Sequence, residues 1–379
     1  MSVVQFNFPT IIRFGAGAVD EMPAFLFEQG CRRPLLVTDA TIAALPFFTK
    51  IVVDLESVGL SVSVFHNIHK NPVKSDVYAG TDQYDANQCD AVIGLGGGAA
   101  IDVARAIVLR VHHREDLFKY DDLIGGDVYV TGPVPLFVTV PTTAGTGSEV
   151  GRSAIIADDV THQKKILFSP KLLAIRVFAD PQVTFDLPPA ITAATGMDAL
   201  THNMEALLAK NYHPICEGIA LEGIRLIAGS LATAVTAPTL QSRSDMLLAS
   251  MMGAIAFQKG LGVVHSLAHP MSALLDTHHG LANAVNLPYG LAFNAACAAE
   301  KFERMAQVLP IAQKDAAGVI EWVRELNQQI GIPAKLREVG VREEHLETLA
   351  QLALEDFAHP NNPQPVSLDD FRKLYAAAF

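Results

Sequence analysis

The sequence is poor in cysteine, in basic residues and in long apolar runs. Its four cysteines are scattered without a CxxC pair, which is typical of free thiols in a reducing compartment rather than of a disulfide framework. The uncharged stretches at 129–148 and 226–242 are interrupted by Pro, Gly, Thr and Ser, so neither offers the roughly 20 apolar residues of a membrane span. We therefore expect a cytoplasmic protein with no membrane role.

Basic residues number 28 against 40 acidic ones, which gives a formal net charge of −12. A surface of that sign disfavours binding to nucleic acid or anionic lipid and fits an enzyme of small molecules. The N-terminal stretch MSVVQFNFPTIIRFGAGAV lacks a basic segment followed by a long apolar core. It therefore predicts a first strand and not a signal peptide.

The 379 residues exceed what one core usually holds and favour about two domains. In the first half, β-branched runs alternate with amphipathic stretches, and the predicted strands are PLLVTD, LSVSVF, DAVIGL and PLFVTVPTT. That alternation predicts an α/β domain with a parallel sheet. From Leu187 onward, Ala- and Leu-rich stretches predict an all-helical domain. Prolines in ADPQVTFDLPPA mark the change, so we expect domains at 1–183 and 184–379.

Four residues in the second half have spacings that predict a metal site. Asp198 and His202 are four apart in MDALTHNME, so a helix would bring both onto one face, about one turn apart. His265 and His279 would close the site from other elements. One carboxylate and three imidazoles suit a divalent ion such as Fe(II) or Zn(II) and leave coordination positions open for a substrate oxygen.

Each of these residues has an ordinary alternative, because a lone His is often a satisfied core residue and Asp198 could cap a helix. The context favours ligands. Four histidines fall within the apolar-dominated stretch from His265 to His279, where a purely structural interior has little use for imidazoles.

The first half contains a glycine-rich turn, GLGGGAA, between a predicted strand and a predicted helix. Gly96, Gly97 and Gly98 allow backbone N–H groups to face a phosphate, and the helix that follows adds its positive N-terminal dipole. A pyrophosphate would fit there. The GxGxxA match from Gly94 to Ala99 is weak by itself, and a tight strand-to-helix turn without a ligand is the alternative.

A second Gly/Thr stretch, PTTAGTGSEVG, follows another β-run. Its hydroxyls could bond phosphate, ribose or an amide; an ordinary polar loop is the alternative. Asp39 ends the run PLLVTD, at the strand tip where open α/β sheets bind ligands. A carboxylate there can accept hydrogen bonds from a ribose 2′-OH and would repel a 2′-phosphate, which favours NAD over NADP. Asp39 could instead be a helix N-cap.

Together these segments resemble the iron-containing, metal-dependent (group III) alcohol dehydrogenases. The resemblance covers nearly the whole chain, in family order: FGAGAVDEMP, VTDA, NPV, GLGGGAAIDVAR, PTTAGTGSEV, ATGMDALTHNME, GLGVVHSLAHP and HHGLANAVNLPYGLAFN. It implies the fold shared with dehydroquinate synthase: an α/β NAD-binding domain followed by an all-helical, metal-binding catalytic domain. It also implies NAD and Fe²⁺, with Zn²⁺ possible, as cofactors, and a homodimer or higher homo-oligomer.

The resemblance implies residue roles as well. The family's metal ligands fall on Asp198, His202, His265 and His279. Its catalytic histidine falls on His269, one helical turn beyond His265 if that stretch is helical. Its cofactor-binding positions fall on Asp39, Asn71, Gly96, Gly97, Gly98, Ala99, Asp102, Thr142, Thr143, Thr146 and Lys164.

The chain departs from the family pattern at a few positions. Ala99 stands where the family usually has Ser, Arg105 where it has Lys, and His278 where it has Pro, while NPQP replaces NPR near the C-terminus. The segments GTGSEVGRSAII and AFQKGLGVVHSLAHP are most similar to 4-hydroxybutyrate dehydrogenases and related ω-hydroxyacid enzymes. Arg152 could pair with a substrate carboxylate; a surface or inter-domain salt bridge is the alternative.

The expected reaction is reversible hydride transfer between a small primary alcohol and NAD, with the metal binding the substrate oxygen and His269 relaying the proton. 4-Hydroxybutyrate is the alternative substrate. A lyase similar to dehydroquinate synthase is a second class, but it needs several basic residues for a phosphorylated substrate and the metal-site half has few. A non-catalytic metal- or nucleotide-binding protein would not need His269 or open coordination positions.

Overall fold

The computed structural model describes residues 10–161 and 163–379, and it has two compact units. The sheet unit comprises the described residues up to Thr143 together with Ser148–Asp186. The helical unit comprises Ala144–Gly147 and Leu187–Phe379. The first strand predicted near the N-terminus falls in part on residues 1–9, which lie outside the described residues.

Strands occur only in the sheet unit among the described residues. They are β1 (Ile11–Phe14), β2 (Pro34–Val37), β3 (Ser63–Phe65), β4 (Ala91–Gly96), β5 (Leu136–Pro141), β6 (Ser153–Ala157), β7 (Lys164–Phe168) and β8 (Arg176–Ala179). Six of them form one parallel sheet in the order β1-β8-β5-β4-β2-β3. The other two, β6 and β7, form a separate antiparallel hairpin.

The inner strands β2, β4 and β5 are buried on both faces of the sheet, which explains their nearly continuous apolar sequences. The five helices of this unit are α1 (Met22–Glu28), α2 (Ala40–Ala43), α3 (Pro46–Ser57), α4 (Lys74–Ala86) and α5 (Gly98–His112). Adjacent residues of β2 point to opposite cores: Leu35 packs in the same cluster as Ile107 of α5, and Leu36 in the same cluster as Ile51 of α3. This is the two-residue period of a strand buried on both sides.

The neighbouring strands β4 and β5 bring two predicted loops together. Gly96, the last residue of β4, lies opposite Pro141, the last residue of β5, in a parallel ladder. The glycine-rich turn and the start of the PTTAGTG stretch therefore leave the sheet side by side, at the carboxyl ends of its strands.

The helical unit has one hydrophobic core. Its helices are α6 (Pro189–Leu208), α7 (Pro214–Thr236), α8 (Leu240–Ala256), α9 (Val263–Leu275), α10 (His279–Asn294), α11 (Ala299–Val308), α12 (Ala316–Gln329), α13 (Leu346–Leu354) and α14 (Leu368–Ala378). α6 is buried along most of its length and packs against α7, α8 and α10. Gly196 permits this close approach, because a Cβ there would lie 2.3 Å from Leu231 Cδ1.

The predicted fold class is confirmed: a parallel sheet precedes a helical half. The antiparallel hairpin β6–β7 was not predicted. Among the described residues, Pro214–Thr236 is one helix long and apolar enough to cross a membrane, and the pair Leu240–Lys259 and Val263–Leu275 passes the same test together although it is bent by 108°. Pro214–Thr236 supplies core residues such as Ile224 and Leu231, as a core helix does.

Candidate active site

The four residues predicted as metal ligands lie together in the helical unit. Asp198 and His202 come from consecutive turns of α6, His265 from α9 and His279 from the first residue of α10. One donor atom from each lies within 4.8 Å of the others. Asp198 Oδ1 is 3.9 Å from Nε2 of both His202 and His265, and 3.5 Å from Nε2 of His279. These four residues are called the metal cluster below.

Three of the four residues of the metal cluster are buried. The side chains of Asp198, His202 and His265 are at most 5% exposed, whereas that of His279 is 30% exposed. The rings of His202 and His265 are stacked, with centroids 4.8 Å apart. The ring of Phe257 is tilted against that of His202, with centroids 5.2 Å apart. Access from solvent is therefore limited to the His279 side.

Two members of the metal cluster have pKa shifts that suit metal binding. Burial raises the pKa of Asp198, but the neighbouring His202, His279 and His265 lower it more, so that it lies at about 2. Burial and the neighbouring His202 and His269 hold the pKa of His265 well below its usual range. A charged carboxylate and a neutral imidazole are the forms that bind a metal ion.

A buried carboxylate orients one of the imidazoles. Glu205, one turn beyond His202 on α6, accepts a hydrogen bond of 2.6 Å from Nδ1 of His265. It also accepts from the backbone N–H of Gly262 at 3.0 Å and of Val264 at 2.6 Å. Burial raises the pKa of Glu205 to about 7 against these donors. The contact leaves Nε2 of His265 with its lone pair toward the metal cluster, as in carboxylate–histidine–metal arrangements.

An asparagine also touches the metal cluster. Asn283 is fully buried on α10, one turn beyond His279. Its Nδ2 donates to Asp198 Oδ1 at 2.8 Å and lies 3.2 Å from His265 Nε2 and 3.1 Å from His279 Nε2. Sequence reasoning missed both Glu205 and Asn283. Their only local signal is helical spacing from predicted ligands, Asp198 to Glu205 and His279 to Asn283.

His269 lies beside the metal cluster but is not part of it. It is on α9, one turn beyond His265, and its ring stacks on that of His279 at 5.2 Å and on that of Phe357 at 5.3 Å. Its side chain is 20% exposed. Nδ1 of His269 lies 2.7 Å from Asp356 Oδ2, a contact that the sequence did not reveal.

In the sheet unit, the glycine-rich turn has the geometry of an anion site. β4 ends at Gly96, Gly97 is the N-cap of the fifteen-residue helix α5, and Gly98 and Ala99 are its first two residues. Gly96 has a φ of 147°, which favours glycine, and a Cβ there would lie 2.8 Å from Ala100 Cβ. Backbone N–H groups and the N-terminus of α5 thus meet at a turn whose own residues, Gly96, Gly97 and Gly98, have no side chains.

Asp39 follows β2 at the same sheet edge. Its Oδ1 accepts from the backbone N–H groups of Thr41 at 2.9 Å and Ile42 at 3.0 Å, so it is the N-cap of α2. Its Oδ2 lies 3.8 Å from the point where a Cβ on Gly96 would stand. The helix-cap alternative is therefore realised, while the second oxygen faces the glycine-rich turn.

Asp102 faces inward rather than toward that turn. Its carboxylate accepts from Arg105 at 3.1 Å, from Ser148 Oγ at 2.6 Å and from the Ile155 N–H at 3.0 Å. Arg105 is fully buried and also donates to the Ser148 and Leu172 carbonyls. Asp102 and Arg105 together brace the loop that contains Ser148.

The other predicted cofactor residues are placed as follows. Asn71 is half-buried before α4, and Thr142 is buried. The side chain of Thr143 lies 3.3 Å from the point where a Cβ on Gly97 would stand. Lys164 is the first residue of β7, and its positive charge lowers the pKa of Asp102 against the larger effect of burial. Thr146 is exposed and belongs to the helical unit with Ala144–Gly147, unlike the rest of the set. Arg152 is half-buried, with its guanidinium 5.5 Å from the ring centre of Phe168.

Comparison with known proteins identifies the family. The profile "Iron-containing alcohol dehydrogenase" matches residues 9–181, and "Fe-containing alcohol dehydrogenase family, C-terminal" matches residues 192–379. The 4-hydroxybutyrate dehydrogenase of Cupriavidus necator is 36% identical over 375 residues, covering 96% of this chain and 97% of the relative.

Two solved structures extend the comparison. A crystal structure of 1,3-propanediol oxidoreductase has a TM-score of 0.95 and 33% identity, with 100% of both chains covered. The sulfoacetaldehyde reductase of Bifidobacterium kashiwanohense, solved in complex with NAD+, has a TM-score of 0.89 and 25% identity over 100% of both chains. The resemblance inferred from the sequence is confirmed. The chain belongs to the iron-containing alcohol dehydrogenase family, as a metal-dependent, NAD-linked oxidoreductase that acts on alcohols.

Proposed function

We propose that this chain interconverts a small primary alcohol and its aldehyde by hydride transfer to and from NAD, at an iron(II) ion held by the metal cluster. The observation that carries the proposal is the convergence of four buried or half-buried donors within 4.8 Å. One carboxylate with three imidazoles fits a divalent ion of intermediate softness, and Zn(II) would accept the same donors.

The residues of the site would have different roles in the reaction. A divalent ion bound there supplies Lewis acidity, which lowers the pKa of an alcohol or polarises a carbonyl. Asp198 contributes the negative charge, and Glu205 fixes the ring of His265. The half-exposed His279 marks the side from which a substrate would enter. His269 would accept the hydroxyl proton during oxidation and return it during reduction.

NAD would bind to the sheet unit. Gly96, Gly97, Gly98 and Ala99 at the start of α5 would hold the pyrophosphate, and Asp39 the adenosine ribose. Thr142 and Thr143 would contact the cofactor from the carboxyl end of β5, and Asn71 and Lys164 would be further contacts within the same unit. Asp102 would act indirectly, because its hydrogen bonds with Arg105 and Ser148 hold the loop that contains Ser148 in place.

The proposal is tested by assaying a panel of alcohols and aldehydes through NADH absorbance, after anaerobic reconstitution with Fe(II) or Zn(II). We expect turnover of short primary alcohols or aldehydes only in the metal-loaded protein. A metal-loaded, folded protein that oxidises none of the alcohols and reduces none of the aldehydes would contradict it.

An ω-hydroxyacid such as 4-hydroxybutyrate is the second candidate substrate. The Cupriavidus necator relative supports it, and Arg152 could pair with a carboxylate, contributing on the order of 1.5–3 kcal/mol per charged hydrogen bond. Against it, the guanidinium of Arg152 lies near the ring of Phe168. The test is kcat/KM for succinic semialdehyde against butanal. Equal values or a preference for butanal would exclude this candidate. If succinic semialdehyde is preferred, an unchanged ratio in Arg152→Ala would show that another residue selects the carboxylate.

Two further properties belong to the proposal. Free cysteines support a cytoplasmic location, which cell fractionation tests.

A homodimer or larger assembly is supported by Ile11 and Phe14, which are 57% and 42% exposed on β1, an end strand of the described sheet. Light scattering coupled to size exclusion measures the assembly, and a monomer at micromolar concentration would contradict it.

A further inference from the structure

His269 is held from two directions by the segment that follows α13. Its Nδ1 lies 2.7 Å from Asp356 Oδ2, and its ring stacks on the next residue, Phe357, at 5.3 Å. The two residues in hydrogen-bond contact are 87 positions apart in the chain. The orientation of the His269 ring is therefore determined by a distant segment and not by α9 alone.

Asp356 is itself firmly positioned. Its other oxygen, Oδ1, accepts from Ser266 Oγ at 2.6 Å and from the Ala358 N–H at 2.9 Å. Ser266 Oγ in turn accepts from the His359 N–H at 2.9 Å. The Asp356 side chain is only 8% exposed. Each oxygen of the carboxylate thus has a fixed set of donors.

These contacts determine which nitrogen of His269 carries the proton. An ionised carboxylate only accepts hydrogen bonds, so Nδ1 of His269 must be the donor to Asp356. In a neutral imidazole the lone pair then resides on Nε2. A ring with the opposite tautomer would place two acceptors face to face.

We propose that Asp356 is a positioning residue that fixes His269 as the Nδ1-protonated tautomer, so that Nε2 accepts the hydroxyl proton of the substrate alcohol. The inference rests on the proposed role of His269 as proton relay. In the oxidation, the O–H bond breaks and its proton goes to Nε2, the C–H bond on the carbon that bears this oxygen breaks and its hydride goes to NAD, and the electron pair left on oxygen forms the C=O bond of the aldehyde. The imidazolium formed stays paired with the Asp356 carboxylate. Reduction reverses each transfer.

The alternative is that Asp356 only ties α9 to the C-terminal segment. Asp356→Asn separates the two ideas. The backbone N–H of Ala358 can only donate a hydrogen bond, so the side-chain oxygen of an Asn at position 356 must face it. The NH₂ group of that Asn must then face His269. That NH₂ donates to Nδ1 and selects the wrong tautomer. Asp356→Ala removes the anchor but leaves both tautomers accessible.

We expect kcat to fall by about 10² or more in Asp356→Asn, further than in Asp356→Ala, with a smaller change in KM and with full metal content in both. If Asp356 only ties α9 to the C-terminal segment, kcat should fall less in Asp356→Asn than in Asp356→Ala, because Asn keeps the shape of Asp and most of its contacts. Asp356→Asn turning over as fast as Asp356→Ala, or faster, would overturn the proposal.

A second measurement reads the tautomer directly and does not depend on turnover. In zinc-loaded protein with ¹⁵N-labelled histidine, the His269 resonances are assigned by their loss in His269→Gln. We expect a protonated Nδ1 and an unprotonated Nε2 in the wild type, and the reverse in Asp356→Asn. A wild-type ring protonated at Nε2 would overturn the proposal. If the wild type oxidised no alcohol while showing the expected tautomer, the proposed function would fail and the positioning by Asp356 would stand.

Discussion

Asn283 donates a hydrogen bond of 2.8 Å to Asp198, across the interface between α10 and α6. The same amide nitrogen lies within 3.2 Å of ring nitrogens of His265 and His279. One fully buried side chain therefore contacts three members of the metal cluster. Such supporting residues orient ligands that would otherwise repel or rotate.

Replacing Asn283 with Ala should weaken metal binding by roughly 10–100-fold. Asn286→Ala is the matched control, because Asn286 is equally buried on the same helix but bonds the Ala282 carbonyl and Met271 Sδ instead. Metal dissociation constants are measured by competition with a chelator. Equal constants for the two variants would remove Asn283 from the metal site.

Changing His265 or His279 to Ala should abolish metal binding and nearly all turnover, because each supplies one of four converging donors. His269→Ala should keep its metal and lose rate. Elemental analysis and NADH assays distinguish these outcomes, and circular dichroism checks folding. Full occupancy in both ligand variants would refute the ligand assignment, and loss of metal from His269→Ala would make His269 a ligand.

Asp39→Gly should admit NADP, because it removes the charge that repels a 2′-phosphate, at some loss in NAD affinity. Asp39 also caps α2, and Gly costs only a few tenths of a kcal/mol at an N-cap. Asp39→Asn is the control that keeps the cap and removes the charge. The ratio of kcat/KM for NAD and NADP measures the effect, and a wild type that prefers NADP would disprove the assignment.

Glu149 should make the unfolding free energy depend on pH. Burial raises its pKa to about 7 from an ordinary 4.5, against the opposing effects of its own backbone N–H and of Arg105. Between these values the folded chain keeps a proton that the unfolded chain has lost. This contribution to stability is therefore present below pH 4.5 and is lost as the pH rises through 7, by about 3 kcal/mol in all.

Glu149→Gln stays neutral and should remove that loss, so the variant should exceed the wild type in stability at pH 8 and match it near pH 4.5. Urea unfolding followed by circular dichroism measures the difference, while the single tryptophan, Trp322 on α12, reports the helical unit separately. Glu300→Gln, at an exposed site on α11, is the control. A parallel pH response in the wild type and Glu149→Gln would contradict the prediction.

Much of the architecture was predictable because its causes are local. The β-branched runs that became β2, β4 and β5 are buried strands, and the run that became β3 is a half-buried end strand of the described sheet. The glycines at 96–98 stand at a strand-to-helix turn that favours a positive φ at Gly96. The hairpin β6–β7 was not predicted because its short strands show no clear alternation of apolar and polar residues in the sequence and pair outside the main sheet. Asp39 was predictable as either a cap or a ligand, and the structure shows the cap directly.

By itself, the sequence predicted which residues would converge, since Asp198 and His202 share a helical face and an apolar core has little use for the four histidines between 265 and 279. Only the tertiary structure decided what supports those donors. Glu205 meets His265 across 60 residues, Asn283 meets Asp198 across 85 and Asp356 meets His269 across 87. No local pattern encodes such pairs, because each forms only when separate helices pack and exclude water between them.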